Sequence, residues 1–101
     1  MSTRDQYVED LKKQIDQWNA EIANWEGSAK DAKKALQNRL RAQVKVVNAQ
    51  RELARYNLKL LEVASSAAWS DVRAGADEAF ERMQVAMKEA RSHFEASPPA
   101  A

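Results

Sequence analysis

Apolar residues recur along this chain at steps of three and four with almost nothing to interrupt them, and such a pattern admits one kind of secondary structure. Val8, Leu11, Ile15, Trp18, Ile22, Trp25, Ala29, Ala32 and Leu36 alternate the two steps over four heptads, which is the seam of a coiled coil. After Leu36 the steps become four, four and three through Leu40, Val44 and Val47. That change of phase reads as a stutter, which locally relaxes a supercoil. Arg51, Ala54, Leu58, Leu61, Ser65 and Ala68 continue in the new phase. Two glycines and a single Pro-Pro pair leave little material for turns, whereas the abundant Ala, Leu, Lys, Arg, Glu and Gln all favour helix. The expected fold class is all-α.

A chain of 101 residues has room for one domain with a shallow core. Its 45% hydrophobic fraction includes 19 Ala, and Leu, Ile, Val and Phe together number only 18. So few large apolar groups would signal disorder if net charge were high. The net charge is +1 and the apolar residues are periodic, so a folded chain is expected. The charge is nevertheless segregated. Residues 30–59 carry nine basic and two acidic groups, a balance of +7; residues 1–29 carry three and six, and residues 60–101 four and seven, so each end stands at −3. A helix charged this way is satisfied by folding back, by pairing with a copy running the other way, or by a polyanion at its middle.

Thr3-Arg4-Asp5-Gln6 has the form of a capping box, and Asp5 and Glu9 follow where the helix dipole favours negative charge. Gly27-Ser28 offers one place for a break, although the heptad phase passes through it from Trp25 to Ala29 without slipping. Ser65-Ser66, followed by Trp69, Ser70 and Asp71, offers a stronger one. Beyond it an 11-residue repeat aligns Trp69 with Phe80 and Arg91, Val72 with Met83 and Phe94, and Ala76 with Met87. At about 3.67 residues per turn such a stripe runs nearly straight along its helix. Ser97-Pro98-Pro99 is expected to end the helix and leave residues 97–101 as a disordered tail.

Chemistry has little to work with. There is no Cys, so thiolate metal sites, disulfides and Cys nucleophiles have no donors. His93 is the single imidazole and reads as a partly solvated residue near a helix end, where its charge suits the dipole. Gly27 and Gly75 belong to no phosphate-binding loop. No catalytic residue, metal or cofactor is expected, and an enzyme is not. No apolar run approaches the roughly 18 residues of a membrane span, and no apolar stretch follows Met1-Ser2-Thr3-Arg4-Asp5, so a cytoplasmic protein is expected. Trp18 and Trp25, seven apart on the seam, read as packing residues.

Two arrangements use the charge pattern. The favoured one is an antiparallel helical hairpin: a helix over about 4–64, a turn near 65–66 and a returning helix over about 67–96, in a single domain 1–96. The returning helix then covers only half of the first, and Leu11, Ile15, Trp18, Ile22 and Trp25 must meet another chain, most simply in a homodimer or with another helical protein. The alternative is a three-helix bundle with helices near 4–26, 29–64 and 67–96. The opening MSTRDQYVEDLKKQIDQWNAEI and the closing AWSDVRAGADEAFERMQVAMKEARSHF resemble small bacterial coiled-coil proteins loosely described as a stress-response family. The resemblance covers about half the chain and implies a soluble, cysteine-poor helical hairpin tied to stress conditions, with no active site to carry over. The functional expectation is therefore a coiled-coil interaction or scaffold protein. Its rival is a polyanion or anionic-membrane binder using Lys33, Lys34, Arg39, Arg41 and Lys45. Nucleic acid is a weaker reading because these residues lie all around the helix with no aromatic interleaved, and membrane is weaker because the apolar face of the last helix is rich in Ala and Met, with only Trp69, Phe80 and Phe94 as large groups.

Overall fold

The computed structural model describes residues 3–96. They form three helices and no strand: α1 (Thr3–Asp31), α2 (Lys34–Val63) and α3 (Trp69–Ala96). Short turns make consecutive helices antiparallel neighbours. The middle helix α2 packs against both α1 and α3. The bundle is a rod of 55 × 21 × 17 Å, far shorter than the roughly 90 Å that a straight helix of sixty residues would need.

The all-α fold is thus realised as the three-helix arrangement, not as one helix over 4–64 with a shorter return. The chain passes through Gly27 helically, as the unbroken heptad phase implies, and reverses five residues later at Ala32-Lys33. Lys33 takes an extended conformation (φ −58°, ψ 146°) and its side chain caps nothing. The end of α1 is instead tied by Gln37, whose Nε2 donates to the Lys30 carbonyl at 3.1 Å. The phase change at Leu36, Leu40 and Val44 is consequently not a stutter in a supercoil. It marks a second helix presenting a face of its own. Reversal is favoured because a continuous helix would leave the α1 seam without a neighbour, whereas folding back buries both seams at once.

The second turn falls at the paired serines, with α3 starting at Trp69. Ser65 Oγ accepts the Ala68 N–H at 3.2 Å, closing the turn ahead of α3. At the other end of that turn Arg4 reaches across from α1 and donates to the Leu61 carbonyl in the last turn of α2 and to that of Ala64 just beyond it. The expected capping box at Thr3–Gln6 is not formed by Gln6, whose Nε2 donates forward to Asp10 Oδ1 at 2.8 Å. The expected tail 97–101 lies outside the described residues.

The core runs the length of the rod. From α1 come Leu11, Ile15, Trp18, Ile22, Trp25 and Ala29; from α2, Leu40, Val44, Val47, Ala54, Leu58 and Leu61. From α3 come Ala76, Ala79, Phe80, Met83, Ala86, Met87 and Ala90, the face drawn by the 11-residue repeat. Three aromatic pairs join α1 to α3: Tyr7 edge-on to Trp69 (5.8 Å), Trp18 tilted on Phe80 (5.5 Å) and Trp25 stacked on Phe94 (5.2 Å). The eleven residues from Tyr7 to Trp18 match the eleven from Trp69 to Phe80. Each pair contributes roughly 0.5–1.5 kcal/mol beyond its buried area.

Candidate interaction surfaces

The residues expected to meet another chain are occupied within this one. Leu11, Ile15, Trp18, Ile22 and Trp25 are all buried in the single chain, against α2 and α3. The expectation rested on a hairpin in which half of α1 lacked a neighbour; the turn at Ala32-Lys33 removes that premise. An association of copies would have to use a different surface.

The basic residues are gathered at one end of the rod. Lys33 sits in the turn, Lys34 opens α2, and Arg39, Arg41 and Lys45 follow along it, all exposed. None of the five forms an ion pair with another described residue. The charge answered inside the fold lies elsewhere. Arg91 of α3 holds Glu21 of α1 in a two-pronged contact, Nε to Oε1 at 2.7 Å and an η-nitrogen to Oε2 at 2.9 Å. The hydrogen bond to Glu21 raises the Arg91 pKa further, against a smaller opposing effect of burial. Lys12 approaches Glu62 at 3.6 Å, and Arg51, in a core-facing position of α2, donates to Asn19 Oδ1 at 3.0 Å. Among the described residues the inter-helix ion pairs join one acidic end to the other, while in the basic middle Arg51 and Arg55 pair only with Glu52 of their own helix. The α2 N-terminus has no acidic residue in its first turn and no side-chain cap.

A third surface has no counterpart among the sequence expectations. The outer face of α2 carries Ala42, Val46, Ala49, Leu53, Tyr56, Leu60 and Val63 at steps of 4, 3, 4, 3, 4 and 3, every one exposed. Val46 is 48%, Leu53 50%, Tyr56 61% and Val63 78% exposed. Each lies two residues on from a member of the inner stripe (Leu40, Val44, Val47, Arg51, Ala54, Leu58, Leu61), about 200° around the helix. The helix is therefore seamed on both sides. The same count of threes and fours that finds the inner stripe finds this one, but two interleaved stripes make α2 look apolar all round and hide the second. Grooves flank the ridge: one against α1 lined by Lys12, Asp16, Arg55 and Lys59, and one against α3 lined by Gln50, Glu78, Arg82 and Val85.

Among the described residues no three His, Cys, Asp or Glu side chains converge to hold a metal ion. His93 is half-buried in the last turn of α3. No described helix is long and apolar enough to cross a membrane. No family model, curated protein or solved structure matches the chain.

Proposed function

We propose that the chain is a non-enzymatic helical interaction protein whose working surface is the outer stripe of α2. The observation that carries this reading is the exposed heptad series from Ala42 to Val63. A continuous apolar ridge on a small bundle already holding a complete core marks a place where another helix packs. The resemblance of the two ends to bacterial stress-response coiled-coil proteins supports a protective scaffold, working in the cytoplasm and covering apolar segments of other proteins under stress. The test is light scattering from a thermolabile reporter enzyme heated with and without the chain. The parent chain should suppress scattering at near-equimolar ratio, and a variant carrying Leu53→Glu and Leu60→Glu should not. Unaltered scattering at a tenfold excess of parent chain would rule the protective role out.

The second reading, binding of a polyanion, is favoured by a specific observation: Lys33, Lys34, Arg39, Arg41 and Lys45 have no acidic partner among the described residues. It requires binding to duplex DNA or to vesicles rich in anionic lipid at low salt, falling steeply as salt rises. Indifference to both ligands in 20 mM salt excludes it.

A further inference from the structure

From the sequence of the exposed stripe itself we infer that its occupant is a second copy of this chain, with the two α2 helices packed antiparallel about a two-fold axis near residues 54 and 55. The inference rests on the reading of this face as the working surface and specifies what covers it. With Val46, Leu53 and Leu60 as one set of seam positions and Ala49, Tyr56 and Val63 as the other, an antiparallel pair places members of different sets opposite one another. Val46 then meets Val63 of the second copy, Ala49 meets Leu60, and Leu53 meets Tyr56. Ala49 thus faces the larger Leu60, and Ala42 falls beyond the end of the second copy's α2.

The flanking charges select the same register. Glu52 and Lys59 both border the stripe on the side of α1. In the antiparallel pair Glu52 faces Lys59 of the second copy, and by symmetry the contact is made twice. Within its own chain Glu52 lies 3.5 Å from Arg55 and 3.7 Å from Arg51, so the incoming lysine joins a carboxylate that is already oriented. On the other border Gln50 faces Asn57 of the second copy, a neutral pair. A parallel arrangement matches Glu52 with Asn57, Lys45 with Gln50 and Lys59 with Ala64, which forms no ion pair. It also stacks Ala49 on Ala49 and lays the five unanswered cations from Lys33 to Lys45 beside their copies. Antiparallel packing sends those two clusters to opposite ends of the assembly.

Sedimentation equilibrium on the full chain should give twice the 11.4 kDa monomer mass. Orientation is read from cysteines introduced into this Cys-free chain. Positions 46 and 63 lie about 26 Å apart along one helix, so Val46→Cys alone should form no disulfide dimer, whereas mixed with Val63→Cys it should form the heterodisulfide. Glu52→Lys should weaken association roughly tenfold by replacing two attractions with two repulsions, and adding Lys59→Glu in the same chain should restore it. Both substitutions are at exposed positions, so helicity should be unaffected. A monomer at all concentrations, a disulfide dimer from Val46→Cys alone, or failure of the charge exchange to restore association would overturn the inference. If the chain is monomeric yet Leu53→Glu with Leu60→Glu abolishes protection of the reporter enzyme, the working surface stands and its occupant is another protein.

Discussion

Replacing Ile22 with Ala separates a seam buried within one chain from a seam buried between chains. Ile22 is 1% exposed, on the face of α1 that meets the other two helices. The substitution removes three carbon atoms' worth of buried side chain, roughly 2.4 kcal/mol at about 0.8 kcal/mol per methylene. The cavity left behind brings the cost to about 3–4 kcal/mol, because neighbours held by Trp18 and Trp25 collapse only in part. A domain of this size has roughly 5–15 kcal/mol in total, so the loss is a large fraction of the whole. The Tm should fall by roughly 15–25 °C. Urea unfolding followed by far-ultraviolet circular dichroism should show an earlier midpoint with an unchanged slope. The difference from the parent should be the same at micromolar and at hundredfold higher protein concentration, since the outer stripe is untouched. A cost below about 1 kcal/mol, or a cost that changes with concentration, would refute burial of this seam within the chain.

Gly27 is helical and exposed, and a Cβ there would meet nothing within 4 Å; Gly27→Ala should therefore stabilise by about 0.5–1 kcal/mol, and a lowered Tm would mean that α1 does not run through this position. A double-mutant cycle on Glu21→Gln and Arg91→Met should return a coupling of about 1 kcal/mol, reduced in 1 M salt because the pair is only half-buried; zero coupling at low salt would show that it does not tie α1 to α3. Arg4→Met keeps the aliphatic stem and removes the donors to the Leu61 and Ala64 carbonyls, so it should cost roughly 1 kcal/mol and speed amide exchange in the last turn of α2; unchanged exchange there would contradict its capping role.

Local chemistry determined the helical class and the inner faces. Steps of three and four leave a stripe that must be buried, and the stripes through Leu11 and Trp25, Val47 and Leu61, and Phe80 and Met87 are the ones the core uses. Ser65-Ser66 named its own turn because a serine oxygen can accept the N–H groups of a new helix. Periodicity states that a stripe needs a cover but not which chain provides it, so the same residues served equally well as a dimer seam or as a core. Only the tertiary structure decided between them. It did so at Ala32-Lys33, where neither residue is a turn former and the reversal follows from what it lets α1 bury: Trp18 against Phe80, Trp25 against Phe94 and Glu21 against Arg91. Those partners stand 62 to 70 positions further along the chain, beyond the reach of any local pattern. With the inner faces spent on one another, Ala42 to Val63 became the stripe left facing solvent.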